Sequence, residues 1–65
     1  MKIDIKKLRI IMAENNLNQK KLALLASIQT STLNMIINGK SNGNPDTWQK
    51  IADSLGISVK DLIED

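Results

Sequence analysis

The stretch that decides the fold is residues 18–40, which read NQKKLALLASIQTSTLNMIINGK. Its apolar residues recur at helical spacing on either side of a short polar break. Asn18 is suited to cap a helix over 19–26, and a helix over 30–38 ends at Asn-Gly, a typical C-terminal pair. The stretch therefore predicts two short helices joined by a turn of three to four residues.

Three further helices are predicted around this pair. Hydrophobic spacing predicts a helix over 5–15, which Asp4 could cap, and another over 45–55, which begins at an Asn-Pro pair. A capping box over 58–61 opens a last short helix, which we expect to bury Val59, Leu62 and Ile63. No segment alternates over strand length, so we expect an all-α, compact five-helix domain over residues 1–65.

Composition limits the chemistry that this chain supports. The 65 residues include no Cys and no His, and the seven carboxylates are scattered one or two at a time. Without these side chains there is no disulfide, thiolate nucleophile, zinc-thiolate site or imidazole base. We therefore expect no enzyme activity, no cofactor and no metal.

Length and hydropathy point to one small intracellular domain. No run approaches the roughly 20 apolar residues of a membrane span, and the Lys-bearing start lacks the features of a signal peptide. At this size, folding buries only about 60% of the unfolded surface, so we expect marginal stability or help from a partner.

Charge is unevenly distributed along the chain. Residues 1–40 carry seven basic and two acidic side chains, a net charge of +5, whereas residues 41–65 carry two basic and five acidic ones, a net charge of −3. Such asymmetry indicates that the first part faces a polyanion. The alternative is that these lysines belong to ordinary solvated helix faces.

The outer face of the third predicted helix is polar but uncharged. Opposite its apolar side, at 100° per residue, lie Ser31, Asn34, Met35 and Asn38. Amide side chains can bond the N6 and N7 edge of adenine, and a Met methyl can pack on the thymine methyl in the major groove. A plain solvated helix is the alternative interpretation.

The order of these elements matches a known family. A short helix, a tight turn and a second helix form the DNA-binding helix-turn-helix, in which the second helix enters the groove. The motifs are LNQKKLA at 17–23, STLNMI at 31–36, NGK at 38–40, NP at 44–45 and IADSLGIS at 51–58. Together they resemble the Cro/C1-type family (XRE, lambda and 434 repressor-like) from about Ile5 to Asp65.

The resemblance implies a lambda-repressor-like domain that binds double-stranded DNA, with the third helix in the major groove. By this resemblance, the residues that read bases are Gln29, Thr30, Ser31, Asn34 and Met35. The residues that would contact phosphates are Asn18, Gln19, Lys20, Asn38, Lys40, Ser41 and Asn42. Helix N-termini and Lys supply anion affinity, and the outer face supplies discrimination.

The sequence departs from the family pattern at three positions. Ser27 stands where the family usually has Gly in the turn, which implies a strained backbone costing about 1 kcal/mol or a slightly different turn. The family often has an Arg–Glu ion pair where this chain has Met12 and Ile37. Because both partners are apolar here, we expect the two side chains to touch within about 4.5 Å.

Specificity follows from the uncharged outer face. No Arg or Lys is placed there to make the commonest bidentate contact to guanine, so we expect an operator rich in A·T. Affinity for the phosphate backbone should be modest and weakened by salt. One short helix reads few base pairs, so we expect a homodimer on a pseudo-palindromic operator. Candidate dimer surfaces are the last helix and the loop before Pro45, although these side chains could equally close the monomer core.

The leading hypothesis is a cytoplasmic, nucleoid-associated transcriptional regulator, most often a repressor in this family, from a phage, mobile element or bacterial operon. The alternative is an antitoxin-like or adaptor protein that binds a partner protein and regulates its own promoter. A third interpretation, a basic amphipathic membrane-surface helix with Lys2, Lys6, Lys7 and Arg9, is weak because the other helices need the apolar face of this helix. We therefore expect no membrane partner, and we expect no small-molecule substrate.

Overall fold

A computed structural model describes residues 1–64, so Asp65, the last residue of the predicted domain, lies outside the described part. The chain runs from strand β1 through four α-helices and one turn of 3₁₀ helix to strand β2. The α-helices are α1 (Ile5–Glu14), α2 (Gln19–Ala26), α3 (Thr30–Ile37) and α4 (Pro45–Leu55). The predicted helices agree with these bounds to within one residue. The strands are β1 (Lys2–Ile3) and β2 (Ile63–Glu64).

Side-chain caps fix where three of these helices begin. Asp4 accepts a hydrogen bond from the backbone N–H of Lys7 at the start of α1. Asn18 and Asn44 do the same for α2 and α4, as their sequence predicted. Each cap satisfies a backbone donor that has no partner inside the helix. In contrast, α3 begins after Gln29 without a side-chain cap.

The predicted fifth helix is shorter than expected. The capping box forms, because Asp61 accepts from the backbone N–H of Ser58, but the helix is a single 3₁₀ turn over Val59–Asp61. The chain then becomes extended, and β2 pairs with β1 in antiparallel register, Ile3 opposite Ile63. The count of five helices is therefore not confirmed, and the all-α prediction missed a two-stranded sheet. Strands of two residues are too short to show alternation in a sequence.

The core forms where the apolar faces of the four helices meet. The largest side chains with almost no exposure are Leu8, Leu22, Leu33, Ile36, Ile51 and Leu62. Leu62 closes the core from the last turn, as predicted, whereas Val59 and Ile63 are only half-buried and pack against it. Burial of such side chains contributes about 1.5–3 kcal/mol each. Among residues 1–64, no helix has the length and apolar character needed to cross a membrane.

The turn between α2 and α3 uses a left-handed backbone. Ser27 has φ 58° and ψ 40°, the conformation that glycine adopts at lowest cost. The next backbone N–H, of Ile28, donates to the carbonyl of Ala23 at 3.0 Å and closes the end of α2. The strained alternative raised by the sequence is therefore the one that the structure adopts, and this turn sets α3 across α2.

Candidate nucleic-acid interface

The outer face of α3 is exposed along its whole length. Leu33, Ile36 and Ile37 point into the core and hold the helix in place. The predicted base-reading residues all lie on the surface, and these are Gln29, Thr30, Ser31, Asn34 and Met35. Met35 is the large apolar side chain of this set and is 47% exposed. All five residues are therefore exposed on α3 or at its start, and we call this set the outer face of α3.

Two exposed lysines lie on or next to the two motif helices. Lys20 is exposed in the first turn of α2, and Lys40 is exposed just past the end of α3. The backbone N–H of Lys40 donates to the carbonyl of Met35 at 2.9 Å, which holds Lys40 at the end of α3. Within residues 1–64, the ion pairs are Lys2–Glu64 and Lys50–Asp46, so neither Lys20 nor Lys40 is neutralised by a carboxylate there. Both ammonium groups are available to an external anion.

Four of the predicted phosphate contacts, Asn18, Asn38, Ser41 and Asn42, already have side-chain partners in the free protein. The Oδ1 atom of Asn18 caps α2 by accepting from the N–H of Lys21 at 2.8 Å, which leaves its Nδ2 for a phosphate. Nδ2 of Asn38 donates to Oδ1 of Asn34 at 2.9 Å. Gln19 is half-buried, and its side chain lines a cleft between α1, α2 and α3.

Asn42 ties the N-terminal strand to the loop after α3. Its Oδ1 accepts from the N–H of Ile3 at 2.8 Å, and its Nδ2 donates to the carbonyl of Met1 at 3.3 Å. Its own carbonyl accepts from Nε1 of Trp48 at 2.7 Å. The amide of Asn42 is thus held by Met1 and Ile3 at the start of the chain, and its second Nδ2 hydrogen stays available. The neighbouring Ser41 is half-buried, and its Oγ accepts from the N–H of Gly43 at 3.1 Å.

Sequence reasoning missed the role of Arg9. Its Nη2 atom donates to the carbonyl of Ile37 at 3.4 Å, at the C-terminal end of α3, where a cation is favourable. Met12 and Ile37 are 7% and 4% exposed and line the same cleft of about 220 Å³ as Arg9. Their predicted contact stays a prediction, but α1 does hold α3 through a cation. The available signal was that Arg9 precedes Met12 by three residues and so shares its side of α1.

The arrangement defines a class of protein. A tight turn joins two helices, and the second presents an exposed, uncharged polar face. Exposed lysines stand in the first turn of α2 and just past the end of α3. This arrangement suits contact with bases inside a groove and with phosphates at its edges. A family model described as helix-turn-helix matches residues 5–62.

The chain therefore belongs to the Cro/C1-type helix-turn-helix family, a family of DNA-binding transcription regulators. No curated protein and no solved structure was found to match it.

Proposed function

We propose that this chain is a non-catalytic, sequence-specific repressor that occupies an operator of a bacterial, phage or mobile-element promoter in the cytoplasm. The observation that carries the proposal is the outer face of α3, which is exposed and polar and contains no charged side chain. The hydroxyl and amide groups on this face match the hydrogen-bonding edges of bases in the major groove. Repression then follows from occupancy, because bound protein excludes other proteins from the same DNA.

The binding energy and the sequence preference come from different residues in this proposal. Lys20 and Lys40 neutralise phosphates on either side of the groove, with the N–H groups at the start of α2 nearby. These contacts place α3 but carry no sequence information. Asn34 can pair with adenine, and the exposed methyl of Met35 can pack on thymine. The preferred sites are therefore rich in A·T where α3 reads them.

One copy of α3 is too short to read a whole operator. A helix of eight residues is about 12 Å long and covers only a few base pairs. Two copies related by a two-fold axis would read two half-sites about one DNA turn apart. We therefore infer a homodimer on DNA and a pseudo-palindromic operator.

The proposal is tested by titrating labelled duplexes with the purified chain at several salt concentrations. We expect binding that is sequence-dependent and that weakens as salt rises. A Ser31→Ala plus Asn34→Ala variant should keep its helical content but lose sequence preference, because both side chains are exposed on α3. Gln49→Ala, an exposed polar position on α4, is the matched control and should bind as the wild type does. Equal binding of every sequence by the wild type would contradict the proposal.

Two exposed leucines favour a second candidate function. Leu24 and Leu25 on α2 are 80% and 58% exposed, which is compatible with an antitoxin-like protein that also binds a partner protein. Coexpression with the product of a neighbouring gene tests this. Leu24→Ser plus Leu25→Ser should abolish a complex and leave DNA binding intact. A complex that survives these substitutions would contradict the use of this surface.

A further inference from the structure

Asn34, on the outer face of α3, and Asn38, the residue that follows α3, form one unit. Nδ2 of Asn38 donates to Oδ1 of Asn34 at 2.9 Å, and the backbone N–H of Asn38 donates to the carbonyl of Asn34 at 3.0 Å. The residues are four apart, the spacing at which helical side chains meet. Both are exposed, so the pair is formed on the surface that contacts DNA in the proposed function.

This bond fixes which way the amide of Asn34 points. A primary amide has two N–H donors on one atom and two acceptor lone pairs on the other. Because Asn38 takes one lone pair, Oδ1 of Asn34 is held towards the end of α3 and Nδ2 lies on the other side. Both hydrogens of Nδ2 and one lone pair of Oδ1 stay available. An unpaired amide could turn over and present these groups in either order.

Adenine is the base whose major-groove edge needs both groups in a defined order, with an N7 acceptor beside an N6 donor. We propose that Asn38 is a positioning residue, which holds the amide of Asn34 in the order that reads adenine. The inference rests on the proposed function, since α3 must lie in the groove. It assigns to Asn38 a role in base preference, beyond the phosphate contact that the family resemblance implies.

A double-mutant cycle tests the inference. The wild type, Asn34→Ala, Asn38→Ala and the double variant are titrated against four duplexes that differ only at the base pair whose preference Asn34→Ala removes. Asn34→Ala should lower the preference for adenine about tenfold. Asn38→Ala should lower it about two- to threefold, since only the orientation is lost. The double variant should show the same preference as Asn34→Ala, because Asn38 acts through Asn34.

Two further variants sharpen the test. In Asn38→Asp the carboxylate can only accept, so it should draw Nδ2 of Asn34 towards itself and turn Oδ1 outwards. The ratio of adenine to cytosine affinity should then fall below that of Asn38→Ala, because cytosine offers a donor. A ratio is insensitive to the uniform loss that the added negative charge causes. Lys40→Ala is the control, and it should weaken all four duplexes by the same factor.

Failure of the inference differs from failure of the proposed function. If Asn38→Ala weakens all four duplexes equally, also in the Asn34→Ala background, Asn38 is a phosphate contact only and the inference is overturned. Side-chain amide signals in nuclear magnetic resonance spectra of the free protein give a readout without DNA. Those of Asn38 should shift in Asn34→Ala, and unshifted signals would overturn the inference alone. A wild type with no preference among duplexes overturns both.

Discussion

Ser27 adopts a strained, left-handed backbone conformation in the turn between α2 and α3. Its φ of 58° lies where a side chain crowds the backbone, and glycine has no such penalty. This conformation lets the N–H of Ile28 donate to the carbonyl of Ala23 and close the end of α2. Among the described residues, four others have a positive φ, and three of these are glycine.

We therefore expect Ser27→Gly to raise the free energy of unfolding by about 0.5–1 kcal/mol, measured by urea denaturation. Ser31→Gly is the matched control, because Ser31 lies within α3 in a right-handed helix. It should lower stability by about 0.5–1 kcal/mol, since glycine disfavours helix. Loss of stability in Ser27→Gly would contradict this account of the turn.

A substitution at Asn42 tests whether this side chain stabilises the fold or contacts DNA. Asn42→Ala removes the bonds to Met1 and Ile3 and leaves the N–H of buried Ile3 without its acceptor, so we expect a loss of about 1–2 kcal/mol in urea denaturation. Asn15→Ala, which loses only a local bond to Ile11, is the control and should cost less. Unchanged stability with weakened DNA binding would instead support the phosphate contact that the sequence predicted.

At the scale of elements, α1 and α3 are joined by the cation of Arg9, one turn before Met12. The guanidinium of Arg9 meets the carbonyl end of α3, whose partial negative charge it offsets. The same residue lies beside the cleft that Gln19 lines, so it also borders the start of α2. Arg9 thus connects α1 with the end of α3.

Arg9→Ala should lower the free energy of unfolding by about 0.5–1 kcal/mol at low salt, and by less at high salt, because ions screen the interaction. Lys6→Ala on the same helix is the control, since Lys6 is exposed and has no such carbonyl partner. Equal losses in both variants at every salt concentration would show that charge on α1, and not the contact with α3, determines the effect.

Elements that depend on neighbouring residues were predictable from the sequence. The caps at Asp4, Asn18 and Asn44 act over three residues, and the helical spacing of apolar side chains showed which face of α3 is exposed. Contacts across the chain were not predictable in this way. The pairing of β1 with β2 and the bonds of Asn42 to the start of the chain join residues about 40 to 60 positions apart. No local pattern marks them.

At the scale of the whole molecule, the uneven charge along the sequence can be compared with the positions of the exposed lysines and of the ion pairs. Lys20 and Lys40, in the basic part of the chain, are exposed at the ends of the two motif helices, whereas the ion pairs Lys2–Glu64 and Lys50–Asp46 lie elsewhere. Positive charge is therefore left uncompensated near α3. The excess over residues 1–40 suits the phosphates at the edges of a groove.

Lys40→Ala should therefore weaken DNA binding similarly for all sequences. The slope of log affinity against log salt should become shallower by about one unit per bound protomer, because one phosphate contact is lost. Lys60→Ala, in the last turn of the chain, is the control and should leave the slope unchanged. A change in sequence preference in Lys40→Ala would contradict the separation of phosphate contacts from base reading.

The central claim, that the uncharged outer face of α3 reads an operator, is tested most directly by selecting binding sites from random duplexes with the purified chain. The account predicts two inverted half-sites about one DNA turn apart, with A·T pairs at the positions that α3 reads. The Ser31→Ala plus Asn34→Ala variant should lose the preference at those positions while remaining folded. Recovery of guanine-dominated half-sites, or of no common sequence, would contradict the account.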